Sequence, residues 1–76
     1  MNILAPVELI STVDFNGNHR TYRVRIDNDN GRFITGFQVA PDHARTDKYH
    51  VIDISTIVKR TPVRINHRYG TEEPVK

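Results

Sequence analysis

Five side chains able to ligate a metal or move a proton, Asp42, His43, Asp47, His50 and Asp53, fall within twelve consecutive residues. Imidazole and carboxylate are the donors that divalent transition ions accept, but a site needs them to converge, and their spacing matches no signature such as H-E-x-x-H. His50 sits in a strand-like run and His43 in a loop-like one, so nothing in the spacing brings them together. A second acidic run, Asp27-Asn28-Asp29-Asn30-Gly31, has the composition of a calcium loop. Counted from Asp27, Gly31 falls where position 5 should coordinate, Phe33 stands at position 7, and Gln38 replaces the bidentate glutamate of position 12. The run reads as a turn, and neither a metal site nor a cofactor is expected.

Nucleophilic chemistry is equally thin. Ser11 and Ser55 have no glycine elbow, there is no cysteine, and no glycine-rich phosphate loop exists. His19 and Asp14 flank the same turn, where they would steady a hairpin rather than build a relay. The expectation is therefore a protein that is not an enzyme. Cations are the better lead. Arg23 and Arg25 alternate with apolar residues, and Lys59, Arg60, Arg64 and Arg68 share a C-terminal window without an intervening acid. Arginine grips phosphate or carboxylate as a bidentate fork, so several on one rigid sheet would suit an anionic partner.

The elements that must carry these arginines are strands. Thr21–Ile26 reads T-Y-R-V-R-I, apolar and polar in strict alternation, which is the period of a ribbon with one face buried. Before it, Val7–Phe15 alternates up to Asn16-Gly17, a dipeptide suited to a two-residue hairpin turn. Taken as that turn, it makes opposite residues add to 33, so that Leu9 faces Val24 and Val7 faces Ile26. After it, Asn30-Gly31 as a two-residue loop makes them add to 61, setting Phe37 against Val24 and Val39 against Tyr22. Both registers put Val24 and Ile26 inward with Val7, Leu9 and Phe37, and leave Ile10, Ile34, Arg23 and Arg25 outward. Gly36, outward opposite Arg25, suggests a bend. Ala40–Asp47 has loop composition, and a strand restarts at Lys48. Asp53 then has the form of an N-cap to a single helical turn carrying Ile54, Ile57 and Val58, with one unbroken strand through Lys59 as the competing reading. Thr61-Pro62 breaks the pattern, and Val63 with Ile65 supplies a last short strand.

Seventy-six residues with a net charge of +2 make one small domain, near the lower limit for folding unaided. Residues 1–6 read as a lead-in whose Ile3 and Leu4 would cover an open end of the core, 7–66 as the folded unit, and 67–76 as a flexible polar tail. Absence of cysteine suits a reducing compartment, and no stretch has the length and apolarity of a membrane span, so a cytoplasmic protein without a membrane partner is expected. Five short strands and one helical turn make an all-β protein, either a curled antiparallel sheet or a barrel that resembles the small SH3-like and Sm-like barrels. Such folds bind peptides, nucleic acids and other subunits alike. The expected function is that of a small non-catalytic binding module, a regulator or inhibitor docking on a protein or nucleoprotein machine of the transcription or translation type. A phage-type accessory protein would fit that size. The docking set is Arg23, Arg25, Ile10, Ile34, Lys59, Arg60, Arg64 and Arg68. Direct RNA or DNA binding by the same arginines is the alternative, and a homodimer formed through an open sheet edge is a third.

Overall fold

The first turn decides which side chains are buried. In the computed structural model, which describes residues 6–75, Asp14 Oδ1 accepts the backbone N–H groups of Asn16 and Asn18 at 2.9 and 3.0 Å, and its carbonyl accepts that of Gly17 at 2.9 Å. Aspartate opening a type I turn, followed by a residue at φ 83°, gives a loop of three residues, Phe15-Asn16-Gly17, rather than two. β1 (Val7–Val13) therefore meets β2 (His19–Asp29) with partners adding to 32: Leu9 lies opposite Arg23, Ile10 opposite Tyr22, and His19 opposite Val13 rather than Asp14. A slip of one residue exchanges the faces of the whole strand.

The second turn also differs from the expected one. Gly31, at φ 82°, begins a two-residue loop with Arg32, and Asn30 Oδ1 takes the N–H groups of Arg32 and Phe33 at 2.9 and 2.8 Å. Beside that turn, Asp29 pairs with Ile34 of β3 (Phe33–Val39); an extra residue at Asp27 then shifts the ladder, so Val24 faces Gln38 and Arg25 faces Phe37. Gly36 lies opposite Ile26 and is buried rather than outward. A Cβ there would overlap the Arg25 carbonyl oxygen, so the two backbones approach where only glycine fits.

Residues 40–47 do not form the long loop expected of their composition. Ala40 accepts from His43 N at 2.7 Å and donates to Ala44 O at 2.8 Å, repeating the first turn with His43 at φ 68° in the place of Gly17. β4 (Arg45–Asp53) starts at once. Asp53 caps a 3-10 turn at Ile54–Thr56 as expected, accepting from Ser55 N at 2.9 Å and Ser55 Oγ at 2.8 Å. Ile54 and Ile57 pack on the core, whereas Val58, the extra residue of a bulge against β1, is 63% exposed. β5 (Ile57–Asn66) runs unbroken through Pro62. The Pro62 carbonyl accepts from Val75 N at 2.9 Å, so its missing N–H lies on the side away from β1 and spares that ladder. The expected polar tail turns back as β6 (Thr71–Pro74) and pairs with β5. Ile3 and Leu4 lie outside the described residues.

Among the described residues the fold is thus all-β: six antiparallel strands form one sheet in the order β4-β3-β2-β1-β5-β6, with β4 and β6 as its edges, so it is open rather than a closed five-stranded barrel. Each face carries an apolar cluster. Ile10, Val24, Ile26, Ile34 and Ile52 are buried on one, against Tyr22, Ile54 and Ile57. Val7, Val39 and Val63 are buried on the other, against Leu9. Ile10 and Ile34, expected outward, are 0% exposed, while Phe37, expected in the core, is half-buried beside Arg25, and Phe15 at the hairpin tip is 98% exposed. The slipped registers cause all four corrections. No helix among the described residues is long and apolar enough to cross a membrane.

Candidate docking face

Arg23 and Arg25 do project from the same face of β2, the face of Val7 and Val39, but neither hangs in solvent. Arg23 holds Glu72 of β6 through Nε to Oε2 at 2.9 Å and Nη2 to Oε1 at 3.1 Å. The same Oε2 meets His43 Nε2 at 2.6 Å, and Arg25 Nη2 donates to the His43 carbonyl at 3.2 Å. The Arg23 guanidinium holds the Glu72 carboxyl below the usual glutamate range; burial opposes that shift and the His43 contact adds to it. One carboxylate thus clasps β2, the β3–β4 turn and β6 together. His43 tolerates its left-handed backbone because its amide, carbonyl and ring are all engaged.

The remaining arginines do not join this set as one surface. Arg60 lies on the Ile10 face, where it forks onto Glu8 at 2.8 and 2.9 Å and reaches Asp29 at 3.3 Å. Arg64 binds Glu73 at 3.0 Å. Arg25 and Arg64 do share an open cleft of about 870 Å³ with His43, Val63 and His67. Lys59 is exposed opposite Ser11 and Arg68 is exposed in the β5–β6 turn next to His67, and neither of them lines that cleft. Ile10 and Ile34, being fully buried, cannot touch a partner. Arg23, Arg60 and Arg64 each spend their charge on a carboxylate, so the expected set does not form one uncompensated basic surface.

A different patch stands open on the Arg23 face, where β3 and β4 end the sheet. Phe37 and Tyr49 lie directly opposite and meet edge to face at 4.9 Å between centroids. The Arg45 guanidinium sits 4.4 Å above the Phe37 ring. Tyr49 is fixed from its far end, donating its hydroxyl to Asp27 Oδ2 at 2.9 Å, and Asp27 Oδ1 also accepts from Thr35. Val51, the next residue on that face of β4, is 63% exposed and Tyr49 is 48% exposed. The bulge that displaces Asp27 from the β2–β3 ladder thus also anchors the patch.

Residue-pattern reasoning put Phe37 inside and Arg45 in a loop, and so missed this cluster. It also missed Glu72. The signal present was charge order: Arg64, a turn ending at Gly70, then Glu72-Glu73, the arrangement expected of two paired strands of opposite sign.

The imidazoles and carboxylates of residues 42–53 part company. His43 turns to Glu72, whereas His50 lies on the other face, hydrogen-bonded to Gln38 Oε1 at 2.9 Å and 4.7 Å from the Tyr22 ring. Burial, with Lys48 adding to it, holds the His50 imidazole below its ordinary pKa. Among the described residues no three such groups stand together as metal ligands would. No family model matches the chain, and neither a characterised protein nor a solved structure matches it.

Proposed function

We propose that this protein is a non-catalytic docking module that binds a protein surface through the β3–β4 end of its Arg23 face. The observation that carries the reading is the patch of Phe37, Tyr49, Arg45 and Val51: two aromatics, an arginine and an aliphatic, partly open to water and held in place by Asp27. Tyrosine and arginine are the side chains that most often dominate protein interfaces, and anchoring them beforehand lowers the entropy lost on binding. Regulation or inhibition of a larger machine by such docking keeps the expectation drawn from size and composition, with the apolar anchors moved from Ile10 and Ile34 to Tyr49 and Val51.

Two features weigh against nucleic acid as the partner. The arginines expected to grip phosphate are largely compensated by Glu8, Asp29, Glu72 and Glu73. Moreover, the Phe37 ring is covered by Arg45 and flanked by Tyr49, which leaves that ring little open face for a base, and Asp27 adds a negative charge beside Tyr49. The test is affinity capture from nuclease-treated lysate with the wild-type chain and an Arg45→Ala/Tyr49→Ser variant, paired with a salt titration against a labelled oligonucleotide. Expected are a protein retained by the wild type and lost by the variant, and no saturable oligonucleotide binding. Retention by both chains alike, or tight oligonucleotide binding falling log-linearly with salt, would overturn the reading.

A further inference from the structure

We infer that the outer edge of β4 pairs with the same edge of a second copy of this chain, antiparallel about a two-fold axis through Val51. The proposal concerns the backbone edge and not the side-chain patch, so it stands independently of the docking reading.

The direction of the free backbone groups follows from the ladder. Ile54 N donates inward to Arg32 O at 3.1 Å, and the β3–β4 pairing is regular from Phe33 opposite Asp53 to Phe37 opposite Tyr49. Alternate residues of an antiparallel strand bond to the same neighbour, so His50, Ile52 and Ile54 face β3 while Tyr49 and Val51 turn their N–H and C=O groups, and Asp53 its N–H, to the open edge; the Asp53 carbonyl already accepts from Thr56 Oγ1 at 2.7 Å and has one lone pair left for that side. Two copies centred on Val51 bring Val51 against its equivalent and Tyr49 against Asp53 of the second copy, which uses all three outward residues of each strand.

Register and charge single out that arrangement. Centring on His50 instead would pair only Tyr49 with Val51 and would bring Asp47 against Asp53 of the second copy, two like charges. Centring on Ile52 leaves Tyr49 without a strand partner, because its counterpart would be Ser55 in the 3-10 turn. With Val51 at the centre no like charges oppose each other, and on the other side of the strand His50 meets Ile52.

The edge is also undefended where the opposite one is guarded. β6 has four residues and ends in Pro74, which has no N–H to offer. β4 carries a bulge between Val39/Arg45 and Phe37/Tyr49, but the five residues after it, Tyr49–Asp53, run regularly and contain neither lysine nor proline. Among the described residues, eight buried apolar side chains divided between two faces make a small core, so a joined sheet would add stability that the single chain lacks.

Sedimentation of the wild-type chain at roughly 100 µM, enough to populate a dimer of micromolar Kd, should give twice the monomer mass. Val51→Pro deletes the central outward donor at an edge position that accepts proline, and should return a monomer. Because Val51→Pro could fail to fold, a second variant decides. The chain has no cysteine, so Val51→Cys carries the only thiol, and across the axis its Cα atoms would lie about 5.5 Å apart, within disulfide reach. Under mild oxidation Val51→Cys should cross-link at least about tenfold faster than Phe15→Cys, whose thiol would be more exposed but lies at the hairpin tip. A monomeric wild type, or equal cross-linking at both positions, overturns the inference. Loss of partner capture by Arg45→Ala/Tyr49→Ser with a monomeric wild type would leave the docking reading intact.

Discussion

The two faces of the sheet are built from the same kinds of residue and finished differently. On the Ile10 face, five buried aliphatics form a continuous cluster, roofed by the 3-10 turn through Ile54 and Ile57 and closed at its rim by Arg60 with Glu8 and Asp29. On the Arg23 face, three valines are buried against Leu9, the Glu72 clasp ties β2, β6 and the β3–β4 turn together, and the β3–β4 end is left open. A sheet that, among the described residues, has no second layer has to bury apolar surface by curling, and it cannot curl fully toward both sides at once. The side that closes becomes the core. The other keeps a smaller cluster held by a charged clasp, and it is there that side chains such as Tyr49 and Val51 remain available.

Unequal energetic weight of the two clusters is the first thing to test. Ile34→Ala removes buried carbon from the larger one, where Ile34 is 0% exposed, and should cost about 2–5 kcal/mol of unfolding free energy. Val39→Ala, equally buried at 1% exposed, should cost about 1–2 kcal/mol, since it deletes less carbon and its cluster relaxes more easily. Urea titration of both variants gives the comparison directly. Equal losses would mean that the Arg23 face is as much a core as the other.

How far this was legible in the sequence depends on the element. Alternation in Thr21–Ile26 correctly marks a strand with Val24 and Ile26 inward, and Asp53 correctly marks the cap of the 3-10 turn. Which neighbours share that inward face was not legible from dipeptides. Asn16-Gly17 and Asn30-Gly31 each suit a two-residue turn centred on the pair, yet Asp14 and Asn30 supply side-chain acceptors that displace both loops. The Asp27 bulge then shifts the ladder once more. Since β1 carries apolar residues at Val7, Leu9 and Ile10, its pattern fits either register and could not veto the wrong one. The basic face was overestimated for a related reason. Counting charges shows Arg23, Arg60 and Arg64, but their partners Glu72, Glu8 and Glu73 are neighbours only after folding.

A smaller effect belongs to the clasp. Glu72→Gln keeps the shape and removes the charge that Arg23 and His43 share, so a loss of about 1–2 kcal/mol near neutral pH is expected, between the values for exposed and buried pairs. The sign of the pH dependence follows from the carboxyl being held below its ordinary value near 4.5. The charged form is the one the fold favours, so its contribution is complete above that value and disappears as the pH falls through the lowered pKa. Stability of the wild type should therefore decline with acid more steeply than that of Glu72→Gln, and the difference between them should vanish at low pH. Parallel curves would show that the clasp is solvated surface charge. The Ile10 face offers a control in Arg60 and Glu8, for which Glu8→Gln should leave the Glu72-dependent slope in place.

The smallest effect on stability should come from Asp14, yet it asks whether turn or face sets the register. Asp14 is fully exposed, and its carboxyl is held below the usual range by the Asn18 backbone N–H first, with the Asn18 side chain and Asn16 N–H adding to it. Asp14→Ala removes that bracket and frees Asn16-Gly17 to form the two-residue turn that would bring Leu9 opposite Val24. Such a slip would turn Ile10 out of the larger cluster and set Val7 and Leu9 in its place, on a face shaped around Ile34 and Ile52. Burial of one isoleucine outweighs a hydrogen-bonded exposed turn, so the pairing should hold with only a slight drop in melting temperature. Cross-strand contacts between the α-protons of β1 and β2, read by NMR, decide it. Leu9 should still neighbour Arg23. A contact from Ile10 to Arg23 in this variant, the non-hydrogen-bonded pair of the slipped register, would mean that the loop selects the buried face and that the unequal clusters are its consequence.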